Sequence, residues 1–350
     1  MIKEFEIEKF AEFDDHKLVV FLYDPETSLR GFIAIHRGGL KNPSLGATRL
    51  WEYESETEAL RDVLRLSRMM SYKSALAGLN YGGAKAALIA SPKALRNRRK
   101  FFHAYAQKLN YLGGKFITGT DVGVEDADVA LMKEKTSYVI GSRVDPARYT
   151  ARGVFGGIQA ALEHLFGSQK LARRSFAVQG LGKTGLGLIA ILSQYTSKIF
   201  GADIDPLKVK FAKKRFPRLH VIPSAKIHRQ TVDVFVPCAL SGSLNSQSIS
   251  ELRCRIVAGS ANNQLESEYI GELLHKLGIL YVPEYVVNAG GLIAVVDELE
   301  HASPNEKRIM RRVMKIKRTL KTIFRRSERH KKATNTVANE MAERIFNNHV

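Results

Sequence analysis

Hydrophobic positions in the first fifty residues cluster in short runs of β-branched and aromatic side chains. "HKLVVFLYD" and "LRGFIAIHRG" each end in turn-forming residues, which predicts two neighbouring strands. The period then changes. In "SETEALRDVLRLSRMMS", residues 55–71, Leu60, Val63, Leu64 and Met70 form one apolar face, and Ser55 stands three positions before Glu58. That is the capping-box spacing, so a helix is predicted to begin there. "KAALIA" and "GGKFITG" read as strands and residues 126–135 as a helix. A second style of sequence begins near Thr150, where "TARGVFGGIQAALEHLFG" predicts a helix with Thr150 at its start and Gly167 at its end. Beyond it, the apolar runs "SFAVQ", "SKIFGAD", "VDVFVPCAL", "RIVAGSANN" and "LYVPEYVV" are interleaved with helical segments. This is the pattern of a parallel sheet covered on both faces, a doubly wound α/β domain.

Length and composition sharpen the picture. A chain of 350 residues predicts about two cores, and 45% hydrophobic residues exclude a disordered chain. No run approaches the ~18 apolar residues that span a bilayer, and the acidic N-terminus lacks an apolar signal core. A cytoplasmic protein is expected. Cys238 and Cys254 have neither CxxC nor His spacing, so reduced thiols are expected, with no metal site. The net charge of +19 is unevenly spread, because residues 307–332 hold thirteen Lys or Arg and one acid, Glu328. Within that segment Ile309, Val313, Ile316, Leu320, Ile323 and Phe324 recur at helical spacing. A helix packed through this stripe with its basic face in water is expected, without specific nucleic-acid or membrane partners.

Candidate chemistry starts with "VQGLGKTG". Gly180, Gly182 and Gly185 have the G-x-G-x-x-G order directly after a strand and at the opening of a helix. Glycine suits a tight turn, close approach to a pyrophosphate and close helix packing, and the helix N-terminus offers N–H groups to the anion. Lys183 and Thr184 lie inside the motif. Asp203 ends the next strand at the distance where an acid meets the adenosine ribose hydroxyls, which predicts NAD over NADP, although Lys208 and Lys210 are near. In "YKSALAGLNYGGAK" two lysines, Lys73 and Lys85, lie in a stretch without other charges, so their partners must be distant residues or a ligand. A desolvated lysine suits a base, and a charged one suits a carboxylate ligand. Asp121, in the Gly-flanked turn of "TGTDVG", could exchange protons with such a lysine. With a dinucleotide site, these residues point to oxidation of a small amino or hydroxy acid.

Here the sequence resembles the Glu/Leu/Phe/Val dehydrogenase family, its leucine-type members most of all. The resemblance rests on "PSLGATRLW", "YKSALAGLNYGGAK", "TGTDVG", "TARGV", "VQGLGKTG", "ADID", "PCAL", "AGSANNQL" and "YVVNAGGLIAVVDEL", in family order over nearly the whole chain. It implies that Lys73 holds the substrate carboxylate, Lys85 activates water as general base and Asp121 carries protons to and from the amino group. Thr150 would bind the nicotinamide carboxamide, Asn262 and Asn288 would line the nicotinamide and substrate end, and Cys238 and Ala239 would lie over the dinucleotide. Leu45, Gly46, Leu292 and Val295 match substrate-pocket positions. Ala84 and Ala47 stand where the family commonly has glycine, and the added methyls are expected to act on substrate size.

The implied fold is α/β with two domains and an active-site cleft between them. A catalytic domain with a mixed sheet would span 1–140 plus 328–350, and a Rossmann NAD-binding domain would span 141–327. The implied reaction is reversible, NAD-dependent oxidative deamination of a branched-chain, leucine-like amino acid to its 2-oxo acid and ammonia, in a homo-oligomer. An aromatic (Phe or Trp) amino-acid dehydrogenase, and a weakly catalytic NAD-binding protein with a polyanion-binding basic helix, remain alternatives.

Overall fold

The computed structural model describes residues 6–38, 42–141, 143–239 and 242–347. The chain divides into two compact units, the second running from Arg143 to Asn347.

In the first unit, β1 (Leu18–Asp24) and β2 (Leu29–Arg37) pair antiparallel with Leu18 opposite Ile35, as their pattern predicts. Two short strands follow, β3 (Ser44–Leu45) and β4 (Thr48–Trp51). Helix α1 (Glu56–Leu76) then begins at Ser55, whose hydroxyl accepts from Glu58 N at 3.1 Å. The Glu58 carboxylate turns back to Glu54 N, one residue earlier than a capping box places it. Strand β5 (Gly82–Ile89) pairs antiparallel with β2 and parallel with β3 and β4, and β6 (Phe116–Ile117) extends the sheet parallel to β3. The sheet is therefore mixed, in the order β1-β2-β5-β3-β6, with β4 on β5.

Alternation along β5 fixes what each face of this sheet does. Ala84, Ala86 and Leu88 enter a core with Phe101, Phe102, Tyr105 and Met132, which come from α3 (Arg98–Asn110) and α4 (Asp126–Lys133), the short α2 (Pro92–Arg96) preceding them. Ala87 packs instead on Ala59, Leu60, Val63 and Leu64 of α1. Successive strand residues point to opposite faces, so Lys85 shares the α1 face with Ala87. The methyl of Ala84 therefore fills the core on the other side of the sheet from Lys85.

The second unit opens with α5 (Pro146–Phe166). This helix starts one turn before the predicted Thr150, because Asp145 caps it by accepting from Ala147 N at 3.0 Å and Pro146 fits the first helical position. Gly167 ends it at φ +65°. Strands β7 (Phe176–Gln179), β8 (Ile199–Ala202), β9 (His220–Val221), β10 (Val234–Pro237), β11 (Ile256–Val257) and β12 (Leu280–Tyr281) form one parallel sheet. Its order, β12-β11-β10-β7-β8-β9, reverses at β7, as in a doubly wound Rossmann domain. Helices α6 (Lys183–Leu192), α7 (Pro206–Arg215), α8 (Ser246–Ser250) and α9 (Glu268–Lys276) alternate with the strands.

After β12 the chain is helical: α10 (Glu284–Val287), α11 (Gly290–Glu300), α12 (Glu306–Val313), α13 (Lys315–His330) and α14 (Thr334–Asn347). The basic segment, read as one helix, is two that meet at Met314, and every member of its apolar stripe is buried. Four of the cations along α12, α13 and the following turn pair with acids: Arg308 with Asp297, Arg312 with Glu300, Lys321 with Glu163 and Lys332 with Glu340. The expected return of residues 328–350 to the first unit differs from the observed packing. Val337, Ala338 and Ala342 of α14 are buried, Thr334 Oγ1 donates to Tyr281 O at 2.6 Å, and Tyr285 OH donates to Asn339 Oδ1 at 2.6 Å, all within the second unit. Residues 348–350 of that expectation, and Leu240 of "PCAL", lie outside the described residues. Among the described residues no helix is long and apolar enough to cross a membrane.

Candidate active site

Close approach of backbone builds the lysine site of the first unit. A Cβ on Gly83 would lie 2.0 Å from Ser71 N, so only glycine lets β5 sit this tightly against the last turns of α1. Lys73 is half-buried in the last turn of α1, two residues after Ser71, and Lys85, 5% exposed, stands on β5 two residues after Gly83. Leu45, fully buried, pairs in register with Gly83, and a Cβ on Gly46 would lie 1.8 Å from Ala84 O. The loop after β6 runs along β4, with Thr48 N donating to Gly119 O at 2.9 Å and Leu50 N to Val122 O at 2.9 Å. Asp121 is thereby held between two backbone anchors.

The lysine's missing partner is 36 residues away: Lys85 Nζ lies 2.6 Å from Asp121 Oδ2. Arg49, which sequence reasoning missed, donates from Nε to the same oxygen at 3.3 Å and from Nη1 to Asp62 Oδ2 at 2.7 Å. Asp62 also accepts from Tyr53 OH at 2.7 Å and from Arg65 Nη2 at 2.9 Å. Burial alone would raise the Asp121 carboxyl, but the Lys85 and Arg49 cations outweigh it and hold the group at about 2. Burial opposes ionisation of Asp62 as well, and Arg49 foremost reverses it. Both carboxylates are therefore anions at neutral pH. An acid among the buried positions of α1 and an arginine between the buried Thr48 and Leu50 were the sequence signals for this network.

In the second unit the three motif glycines serve three ends. Gly180 has φ +100° and its Cβ would meet Ala239 N and Cys238 C at 2.8 Å, so the turn closes against the end of β10 where the sheet order reverses. A Cβ on Gly185 would lie 2.0 Å from Gly180 O, which holds α6 against the turn. Gly182 caps α6 and its Cβ direction is open for 4 Å, leaving room for a ligand to reach the N–H groups of Lys183, Thr184 and Gly185. A groove of about 710 Å³ opens at Gly182 and Lys183, with Arg148, Arg152 and Lys208 along it. At the end of β8, Asp203 accepts from Leu181 N at 2.7 Å and Asp205 N at 3.0 Å, so the carboxylate is fixed with lone pairs to spare for ribose hydroxyls. These features fit a dinucleotide.

Other expected positions fall in two groups. Asn288 Nδ2 donates to Asn262 Oδ1 at 2.9 Å, and Asn288 Oδ1 is buried with no hydrogen-bond partner among the described residues, an acceptor that a ligand N–H can satisfy. Thr150 Oγ1 donates to Pro146 O at 3.0 Å, and a Cβ on Gly291 would lie 2.9 Å from that hydroxyl, which places Thr150 at the start of α11. Leu292 and Val295, three apart and half-buried, share one face of α11. Cys238 is half-buried and Cys254 buried, both as free thiols.

One unit with a mixed sheet and a buried Lys–Asp pair, and a second, doubly wound unit whose glycine turn fits a dinucleotide, point to the class of nucleotide-dependent oxidoreductases. Comparison with known proteins narrows it. Residues 19–138 match the family model "Glu/Leu/Phe/Val dehydrogenase, dimerisation domain" and residues 207–348 match "Glutamate/Leucine/Phenylalanine/Valine dehydrogenase". The chain is 39% identical over 344 residues to leucine dehydrogenase of Geobacillus stearothermophilus, covering 97% of this chain and 92% of that relative. It is 40% identical over 344 residues to phenylalanine dehydrogenase of Bacillus thermotolerans, covering 95% and 89%. The crystal structure of L-tryptophan dehydrogenase from Nostoc punctiforme superimposes with a TM-score of 0.81 at 40% identity, covering 95% of this chain and 96% of that one. The chain belongs to the Glu/Leu/Phe/Val dehydrogenase family of NAD(H)-dependent amino-acid dehydrogenases.

Proposed function

We propose that this chain catalyses the reversible NAD-dependent oxidative deamination of a nonpolar, leucine-like L-amino acid to its 2-oxo acid and ammonia. The observation that carries the reading is the buried Lys85–Asp121 pair. A lysine and a carboxylate at hydrogen-bond distance can pass protons between a substrate nitrogen and a water. In this reading Lys73 neutralises the substrate α-carboxylate. Asp121 takes the proton leaving the amino group. Lys85, an ammonium beside Asp121 at rest, acts as the base once it has released its proton to solvent, and then draws one from the water that adds to the imino carbon. Bound NAD supplies the hydride acceptor. Gly180, Gly182, Lys183, Thr184 and Gly185 would hold its pyrophosphate, Asp203 its adenosine ribose, Cys238 and Ala239 the adjoining loop, and Thr150, Asn262 and Asn288 its nicotinamide end.

Specificity follows from the aliphatic character of Leu45, Leu292 and Val295. A second carboxylate left without a hydrogen-bonding partner costs several kcal/mol, whereas each buried CH₂ gains ~0.8 kcal/mol. Similar identity to tryptophan and phenylalanine dehydrogenases supports a second reading, an aromatic substrate, because apolar pockets discriminate size by only ~1–3 kcal/mol per methylene. A homo-oligomer is part of the proposal, since the first unit matches a domain described as a dimerisation domain.

NADH production from a panel of Leu, Ile, Val, Phe, Trp and Glu tests both readings. Highest kcat/KM on the branched aliphatic members supports the first, and activity confined to Phe and Trp moves the assignment to the second. Preference for Glu contradicts both. Inactivity on every member, with NAD binding intact, would leave a nucleotide-binding protein.

A further inference from the structure

The proposed function assigns no role to Arg49, although it touches the central carboxylate. Strand β4 explains its direction. Thr48 Oγ1 lies 2.7 Å from both Tyr105 OH and Thr118 Oγ1 in the core, and Leu50 joins the same core, so the residue between them points to the face that carries Lys85. There the guanidinium, 15% exposed, is divided between two acids: Nε on Asp121 and Nη1 on Asp62. Asp62 is itself held by Tyr53 and Arg65. The chain of contacts therefore runs from helix α1 through Arg49 to the oxygen that Lys85 shares.

We infer that Arg49 is a positioning residue for the proposed deamination: tethered by Asp62, it fixes the Asp121 carboxylate against Lys85. The inference rests on the reading of Asp121 as proton carrier. Two cations on one oxygen explain how a carboxylate that burial disfavours stays charged. The planar fork of arginine is needed because it presents separate N–H groups to two acids at once, which a lysine ammonium on a flexible stem does only at the loss of fixed geometry. Among the described residues, Lys85 from β5 and Arg49 from β4 are the charged groups seen paired with Asp121. Asp62, Arg65 and Tyr53 surround the far side of Arg49, and Lys73 lies on the same helix as Asp62.

The arrangement separates two contributions that a merely structural arginine would not. Charge at residue 49 sets the acid limb of the pH–rate profile, and the fork geometry sets the rate above it. Profiles of kcat and kcat/KM against pH would be measured for wild type, Arg49→Gln, Arg49→Lys and Asp62→Asn with the best amino acid of the panel. In Arg49→Gln the acid limb should move up by about 1–3 pH units, the effect of removing a neighbouring opposite charge. Arg49→Lys should restore the limb while kcat stays down by about 10²-fold, the scale of a misplaced catalytic group. Asp62→Asn should lower kcat without moving the limb upward, and the KM for NAD should hold in all three.

Superimposable profiles of wild type and a folded Arg49→Gln overturn the inference. Should Arg49→Gln fail to fold, a wild-type kcat in Asp62→Asn overturns it equally. Inactive wild type would sink the proposed function instead. In that case the Asp121 carboxyl ¹³C resonance, assigned by its loss in Asp121→Asn, decides the Arg49 assignment: an unchanged titration in Arg49→Lys and an upward one in Arg49→Gln support it, and no difference between wild type and Arg49→Gln refutes it.

Discussion

Replacing Asp121 by asparagine tests the electrostatics of the site through stability, independently of turnover. The carboxyl is held at about 2 against a reference of 3.8, by cations that outweigh its burial. At 1.36 kcal/mol per unit that displacement is worth about 2 kcal/mol to the folded state. The amide also leaves Lys85 and Arg49 without their shared anion, and breaking a buried pair costs up to about 3–5 kcal/mol. A loss of about 2–4 kcal/mol at neutral pH is expected for the first unit. The sign of its pH dependence follows from the lowered value: the contribution is full above 3.8 and disappears as pH falls through about 2. Trp51, the only tryptophan of the chain, lies two residues after Arg49 on β4, so its fluorescence during urea unfolding reports this unit. The wild-type minus Asp121→Asn difference should be flat from pH 7 to 5 and shrink below pH 4. A difference under about 0.5 kcal/mol at pH 7, or one that stays constant into acid, refutes the reasoning.

Three further outcomes follow from the same geometry. Ala84→Gly should cost about 1–2 kcal/mol, from a lost core methyl and a freer backbone, and should leave amino-acid KM unchanged; a changed KM would mean the methyl faces substrate after all. Gly185→Ala should abolish NAD binding in a fluorescence titration, because its Cβ would lie 2.0 Å from Gly180 O, whereas retained affinity would refute the close-packed turn. His16 and His36, with ring centroids 4.9 Å apart, are both kept neutral by burial first, His16 at about 4. A histidine lowered in the folded state stabilises above its unfolded value of about 6.5 and less as pH falls toward 4, so wild-type stability read by Trp51 should decline over that range and His16→Phe should flatten the decline. Equal slopes in the two proteins would rule the pair out as the cause.

How much of this was legible in the chain depends on how local each cause is. The glycine turn between β7 and α6 was readable because strand, glycines, helix and Asp203 all fall within one short span and each has a steric or charge reason that holds locally. The apolar stripe of residues 307–332 was readable for the same reason, although its break at Met314 has no residue signal. The start of α5 was displaced because Asp145-Pro146 is a stronger cap than Thr150, whose hydroxyl turns back to Pro146 O instead. Strands β3, β6, β11 and β12 are two residues long and exist through their neighbours, so their bounds could not be read from alternation. Placement of α14 required knowing which surface Val337, Ala338 and Ala342 cover. Lys85 and Asp121 were found by their surroundings, but Arg49 and Asp62 join them only through a parallel pairing of β4 with β5 that no local pattern encodes.

The most direct test of the central claim is the rate of NADH formation from L-leucine in wild type and Lys85→Ala, each saturated with NAD. The account predicts turnover in wild type and a fall of about 10²–10⁴-fold in kcat for the variant, the range for loss of a general acid–base group, with NAD affinity unchanged. A folded Lys85→Ala protein that oxidises leucine at the wild-type rate would contradict it.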